Sequence, residues 1–347
     1  GVTKPQEIIM KPLSFLLVIT LSFFTVILIG SQTNANPQLK VLLTQLEGKN
    51  NVQVGVAKIN ATVPIGCPLA GYNHGDRRVP HWPIPQFKKY TTFMSPSKGI
   101  LSPTWAKCMI IKDTNTGSQL ALITVDAIGA DSALLKMAVE KATAMGFDVP
   151  LSNVVLSASH THSGPGAVTA ELLWSLAPAT DLLVPEVRDG FADSFAKCLV
   201  QAKANLKEAS IGVTTGELTT VTRNRRAGES PYVTTTSIDP QLSLISVNDI
   251  ATNTPIATLW NFAIHGTCFG TDNMYYHGDI MGYTNELIEQ MLPGISMFVN
   301  SDAGDIAPTG PACKNGPFFE GGHDIAKAVV DLRSKTQFTT EIDLQVA

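Results

Sequence analysis

Charge is scarce in this 347-residue chain: Asp, Glu, Lys and Arg together make up 16% of it and leave a formal net charge of −4. No basic block exceeds Arg223-Asn-Arg225-Arg226, too short for an electrostatic footprint on nucleic acid, so nucleic acid is not an expected partner. The same weak charge gives no electrostatic reason for binding a membrane surface. Cysteine is sparse too. Cys67, Cys108, Cys198, Cys268 and Cys313 lie far apart with no C-x-x-C pair, which excludes a zinc ribbon or a dithiol redox motif. In an oxidising compartment they permit up to two disulfides and leave an odd thiol. Internal repeats, low-complexity tracts and composition shifts are absent, so no domain boundary is marked. Histidine is rare at seven residues, which gives weight to where each one falls.

One long apolar run is present, Leu13 to Ile29, preceded by Met10-Lys11-Pro12 and followed by the small-residue site Thr33-Asn34-Ala35. Residues 1–35 therefore read as an N-terminal extension and a secretory signal peptide, with Met10 the natural start and the mature chain beginning near Asn36. The run is also close to the shortest span of a bilayer, so an uncleaved signal anchor is the alternative. The expected location is secreted or extracytoplasmic, free or held at a membrane through this segment.

Residues 36–347 alternate strand-like and helix-like runs, the pattern of a layered α/β domain. Strands are expected at Val52–Asn60, Ala106–Lys112, Leu120–Val125, Val154–Ser157, Ser210–Glu217, Leu242–Val247, Thr258–Ala263, Ser296–Asn300 and Gln337–Gln345. Helices are expected at Ser132–Met145, Val184–Leu206, Gly282–Met291 and Gly322–Arg333. Val79 to Pro96 and Ala227 to Pro240 read as long loops, which in compact domains are usually functional or mobile. The expected architecture is a mixed β-sheet sandwich flanked by helices, in a single large domain of catalytic type.

The segment Leu156-Ser-Ala-Ser-His160-Thr-His162-Ser-Gly-Pro-Gly166 delivers two histidines from a hydrophobic run into a Gly/Pro turn. On a strand, residues i and i+2 share a side, so His160 and His162 can face one cleft. Neutral imidazole is the commonest transition-metal ligand. His265 repeats the placement at the end of Thr258 to Ile264, before Gly266. Carboxylates gather at similar points: Asp126, Asp279, Asp302 and Asp305. Most such aspartates only form turns or cap helices. Asp305 stands out because Gly304 permits close backbone approach and Pro308 stiffens the loop's exit. A catalytic zinc site uses three or more protein ligands and one open position, where the ion acidifies water and polarises a carbonyl. Arg225 is a candidate to hold a polar group or a developing oxyanion.

As an ordered set these segments resemble the neutral/alkaline non-lysosomal ceramidase family. The set begins with Val54 to Tyr72, similar to that family's opening strand and G-x-P-x-x-G-Y turn. It continues through Ser159-His-Thr-His-Ser-Gly-Pro-Gly166, Asn224-Arg225, Asn261 to Thr267, Asp279-Ile-Met-Gly-Tyr283 and Gly304-Asp-Ile-Ala-Pro308. The resemblance implies a zinc amidohydrolase that cleaves the N-acyl bond of ceramide, or a related N-acyl lipid, to a sphingoid base and a fatty acid. It implies zinc on His160 and His265, His162 and Arg225 lining the site, and Gly71 and Tyr72 shaping the substrate cleft; Asp305, singled out by its own loop, is the carboxylate expected in the catalytic machinery.

Two departures stand beside this likeness. The family's remaining ligands, a glutamate and a tyrosine, lie well beyond its G-D-V-S-P-N segment and have no matching motif before Ala347, so the domain is expected to be incomplete at its C-terminal side. Second, Ala307 occupies the position of the family's serine, its proposed nucleophile, and Thr309 that of the asparagine. Two other readings follow: a catalytically silent protein that binds an N-acyl lipid or a metal, or a zinc hydrolase of another small amide or ester.

Overall fold

The computed structural model describes residues 17–19, 50–78, 89–129, 131–176, 180–229 and 231–346. Eight strands form one mixed sheet: β1 (Val52–Asn60), β2 (Trp105–Asp113), β3 (Gln119–Val125), β4 (Val154–Ala158), β5 (Lys207–Glu217), β6 (Gln241–Asp249), β7 (Pro255–Phe262) and β8 (Ile295–Asn300). Their hydrogen-bonded order is β8-β7-β6-β5-β1-β2-β3-β4. Only β3/β4 and β7/β8 are parallel, and they lie at opposite ends of that order. Each parallel pair needs a crossover. Helix α1 (Ser132–Ala144) supplies the first and α3 (Asp279–Met291) the second, while α2 (Pro185–Ala204) and α4 (Glu320–Arg333) complete the helical layers.

Period-two alternation sets the layers. Along β2, Cys108 and Ile110 join a core with Ala121 and Ile123 of β3 and the apolar faces of α1 and α2. Met109 and Ile111 point the other way, into a second core shared with Val247, Leu259 and Met297 of β6, β7 and β8. A third core packs Trp260, Phe262 and Phe298 against α3 and α4. The sheet has therefore folded over, apolar on both faces, with helices outside each half. This is the expected sandwich flanked by helices.

Polar groups fasten the two halves. Lys107, 3% exposed, donates to Ser296 O of β8 at 2.6 Å and pairs with Glu289 of α3 at 3.0 Å, and Lys58 reaches the same carboxylate. On the outer layer Asp131 caps α1 by accepting from Leu134 N at 2.6 Å, and Arg188 of α2 holds that carboxylate at 2.9 Å. Pro185, at the start of α2, gives up only an N–H that has no helical partner.

All eight main strands and four longer helices lie where the sequence places them, with ends shifted by a few residues. The strand expected at Gln337–Gln345 is reduced to Leu344–Val346, which pairs in parallel with Leu17–Ile19. Before it, Thr339 makes one bridge to Ile211, and its hydroxyl accepts from Glu341 N, a local bond that competes with a ladder. Short elements at Leu172–Leu176, Thr222–Asn224 and Ile306–Pro308 have too little length to show a period. Apart from Leu17–Ile19, the signal-peptide segment lies outside the described residues, as do 79–88 of the first long loop. Among the described residues no helix is long and apolar enough to cross a membrane.

Cys268 and Cys313 form a disulfide, and Cys67, Cys108 and Cys198 are buried free thiols. Of the two disulfides the count permits, one forms, because the Cys198 thiol is turned to the Ala57 and Ala106 carbonyls instead. The bond spans 45 residues and ties the loop after β7 to the segment before α4. Loop-closure entropy for such a span corresponds to about 4 kcal/mol at most. Cys313→Ser is expected to lower unfolding stability by roughly 2–4 kcal/mol in urea titration; an unchanged midpoint would show that the loop is held without it.

Candidate metal centre

The folding-over brings the C-terminal ends of β4 and β7 together. Beyond β4 and β7 the chains meet at a parallel bridge between Thr161 and Gly266, and His162 N donates to Gly266 O at 3.0 Å. His160 and His265 are thereby held side by side. Strand alternation is not what aligns His160 with His162, because β4 ends at Ala158. Instead His160 takes a left-handed backbone, φ 65°, a costly conformation for a residue with a Cβ. Its N–H donates to Ala127 O. The turn throws both rings to one side by a route that periodicity does not show.

Three ring nitrogens converge. His265 Nε2 lies 3.1 Å from His160 Nε2 and 3.1 Å from His162 Nε2, and the three residues form the one histidine cluster of metal-binding spacing among the described residues. His160 Nδ1 is 2.7 Å from Ile128 O and His265 Nδ1 is 2.9 Å from Ala303 O. A carbonyl only accepts, so each Nδ1 carries the proton and each Nε2 presents a lone pair. Two lone pairs facing each other at 3.1 Å repel, and a cation between them removes the repulsion. Backbone carbonyls fixing the far nitrogen are also the usual outer partners of metal-binding histidines. The donor set fits a metal such as Zn²⁺ on this ground. His162 differs: its Nδ1 is buried with no partner.

Electrostatics favour neutral rings. Burial lowers all three histidines, His162 to about 2 and His265 to about 4; Arg225 acts in the same direction on all three, and neighbouring imidazoles on His162 and His265. Metal binding requires deprotonated imidazole, so this environment keeps the donors available well below neutral pH.

The other expected site residues take these positions. Arg225 Nε and Nη2 donate to Gly304 O at 3.1 and 2.7 Å, and its backbone N donates to Asp305 O at 2.7 Å. Asp305 Oδ2 accepts from Asn224 Nδ2 at 2.8 Å. Both residues thus brace the turn 303–306, which grips His265 through Ala303 O and through Ile306 O, acceptor for His265 N. Tyr72 lies edge-on to His162 with ring centroids 4.7 Å apart, donates to Phe269 O at 2.7 Å, and has a phenol pushed up by burial to about 12. Gly71 adopts φ 121°, and a Cβ there would sit 2.5 Å from the His162 ring, so glycine is what admits that ring.

Of the remaining aspartates, Asp279 is fully buried and accepts from the N–H groups of Cys268, Phe269 and Ile280, with a carboxyl pushed up by burial to about 6. Asp126 accepts from Trp105 N. Both build loops and contribute no atom to the histidine cluster. Ala307 is buried on the short strand paired with Thr222–Asn224. The Ser301 hydroxyl is directed to Asp239, and Thr309 Oγ1 accepts from Ala312 N, so both are engaged outside the cluster.

Sequence reasoning missed Arg77, which is completely buried, donates to His162 O at 2.9 Å and lies 5.3 Å from the Tyr72 ring centroid. No periodic signal marks it, and Asp76 and Arg78 beside it suggest a solvated loop.

The family model "Neutral/alkaline non-lysosomal ceramidase, N-terminal" matches residues 85–325, well over half of the chain. Neutral ceramidase B of Dictyostelium discoideum is 27% identical over 184 residues, 48% of this chain and 25% of that protein. The neutral ceramidase of Pseudomonas aeruginosa is 26% identical over 231 residues, 63% of this chain and 34% of that protein. A solved structure of the Pseudomonas aeruginosa neutral ceramidase superposes with a TM-score of 0.66 at 21% identity, covering 83% of this chain and 44% of that one. The chain matches about a quarter to a third of the length of these curated relatives.

Buried neutral histidines make acid stability a test of the site. His277, lowered to about 4 by burial, joins His162 and His265. Above about 6.5 these rings are neutral folded or unfolded; below it the unfolded chain takes up protons that the fold refuses, so stability is lost as pH falls from about 6.5 towards 4. Asp279 acts oppositely, losing stability as pH rises from 3.8 through about 6. Asp126, whose carboxyl burial also raises, acts with Asp279, but several histidines oppose these two, so the urea midpoint of chelator-treated protein should fall between about pH 7 and about pH 4.5, and His277→Asn should flatten the slope. A flat wild-type profile would contradict burial as the cause.

Proposed function

The chain belongs to the neutral/alkaline non-lysosomal ceramidase family, and from that premise we propose that it is a zinc-dependent amidohydrolase acting on ceramide or a related N-acyl lipid, releasing a sphingoid base and a fatty acid. The observation that carries this reading is the pair of inward-facing Nε2 lone pairs of His160 and His265, 3.1 Å apart, each with its far nitrogen fixed by a carbonyl. His160 and His265 would hold the zinc, which when bound supplies Lewis acidity, polarising an amide carbonyl and making water more acidic.

The surrounding residues supply orientation and charge. Arg225 is anchored through Gly304 O, and its charge is felt by all three histidines; there it would stabilise negative charge growing on the carbonyl oxygen. His162, kept neutral by burial and with its Nε2 3.1 Å from His265 Nε2, lines the site beside the ligand pair. Gly71 and Tyr72 shape the adjoining wall. Asp305 acts through the turn that holds Arg225 and His265. Water is the nucleophile, since Ala307 has no hydroxyl and Ser301 and Thr309 are engaged elsewhere. Its oxygen bonds to the carbonyl carbon, the C–N bond breaks, and the amine leaves with a proton.

The same observations at Ala307 favour a second reading, a silent member that binds metal or an N-acyl lipid without turnover. For either, secretion or membrane tethering through the N-terminal segment brings the protein to a lipid substrate.

Release of fatty acid from a fluorescent ceramide, with zinc quantified in the same sample, separates the two. The hydrolase reading expects turnover that His160→Ala abolishes together with stoichiometric zinc. Arg225→Ala should reduce kcat/KM by about 10²-fold with zinc retained. Zinc without turnover on ceramide supports the silent reading, and absence of both defeats the metal assignment.

A further inference from the structure

We propose that Asn300, at the end of β8, is a positioning residue that sets the gap between His160 and His265. Its side-chain Nδ2 donates to Ser159 O at 3.0 Å and to Ile264 O at 2.9 Å, and Ile264 N approaches its Oδ1 at 3.3 Å. Ser159 and Ile264 are the residues immediately before the two histidines. One amide therefore holds both backbones at the point where each turns towards the cluster.

The need for this contact follows from the folded sheet. β4 and β7 are not neighbours in the ladder, so their ends have no continuous strand pairing to fix their separation. The Thr161–Gly266 bridge acts only beyond the histidines. Ser159 is 3% exposed and Ile264 is fully buried, and a carbonyl in such a place requires a donor. An amide is the smallest neutral side chain with two N–H groups on one atom. Asn300 satisfies both carbonyls at once, and its rigid geometry converts that satisfaction into a distance.

Charge excludes the nearest substitute. Aspartate matches asparagine in shape but has no N–H when ionised, and would place a negative group against two carbonyl oxygens. Serine retains one hydroxyl donor on a shorter arm and serves at most one carbonyl. Each change should loosen the register of both histidines, although Asn300 touches neither ring.

This inference deepens the metal-site reading and is tested partly apart from it. Imidazole ¹⁵N resonances of His160 and His265 are recorded in the metal-free full chain for wild type, Asn300→Ser, Asn300→Asp and Met297→Ala. Met297→Ala, in the same strand but buried in the core between the sheet halves, supplies a loss of stability that removes no hydrogen bond of the seam. Both rings should shift in Asn300→Ser, more so in Asn300→Asp, and neither in Met297→Ala. Cobalt titration of the same proteins should show affinity about 10- to 100-fold weaker in the Asn300 variants, with an altered d–d absorption band. Unchanged rings in Asn300→Ser, or a shift in only one, overturn the proposal, and Asn300→Ser decides alone if Asn300→Asp does not fold. Wild-type protein that takes up no cobalt defeats the metal reading and leaves the ring resonances to judge Asn300.

Discussion

The contact on which the structure depends is the junction of the two parallel strand ends, where residues 159–162 run beside residues 264–266. The eight-stranded sheet begins and ends with a parallel pair, and folding it over closes those two ends on each other. Apolar burial between the halves drives the closure, since residues such as Met109, Leu259 and Met297 have no other place to go. Apolar burial has no direction, however, and leaves the final spacing open. Polar contacts decide it: the Thr161–Gly266 bridge, the His162 N bond to Gly266 O, and the Asn300 amide. The site is therefore a product of topology, assembled from residues more than 100 positions apart in the chain.

Its chemistry follows from that enclosure. Burial is the largest cause of the lowered basicity of each histidine, ahead of any charge. Three neutral imidazoles in a largely buried site cost little compared with buried ions. They nevertheless leave an unfavourable meeting of lone pairs, because two of the rings have their protons committed to Ile128 O and Ala303 O. The same bonds that fix the rings thus point two lone pairs at each other, an arrangement that a bound cation would relieve. His162, whose Nδ1 has no such carbonyl, is the ring left free to do something else.

Much of this was legible in the sequence. The strands were, because buried strands such as Leu120–Val125 and Thr258–Ala263 are short apolar runs bounded by turns. His160, His162 and His265 were too, since each lies just beyond such a run in a turn that contains glycine. The convergence itself was readable only in outline: the positive φ of His160, which turns the rings together, has no periodic trace. Arg77 and Asn300 were illegible for a related reason. Each acts through backbone carbonyls of residues far away in sequence, and no local pattern encodes that. Gln337–Gln345 was misread because Thr339 offers its own backbone a competing bond.

Arg225 and Asp305 show why residue type alone overstates a direct role. An arginine and an aspartate near a metal cluster suggest an oxyanion clamp and a general base. Here the carboxylate accepts from Asn224, and two guanidinium donors converge on one carbonyl oxygen of the turn that carries Ala303 O. Turned away from the histidines and bonded to Asn224, the carboxylate stiffens the turn, while the charge of Arg225 still reaches all three rings. Ala307 fits the same division. The short strand Ile306–Pro308 keeps its pairing with Thr222–Asn224 without a hydroxyl at its centre, so the scaffold that aims His265 and Arg225 does not depend on one. Position 307 thus belongs to the scaffold of the turn, where a buried methyl group is accommodated without loss of the strand pairing that carries His265 N on Ile306 O.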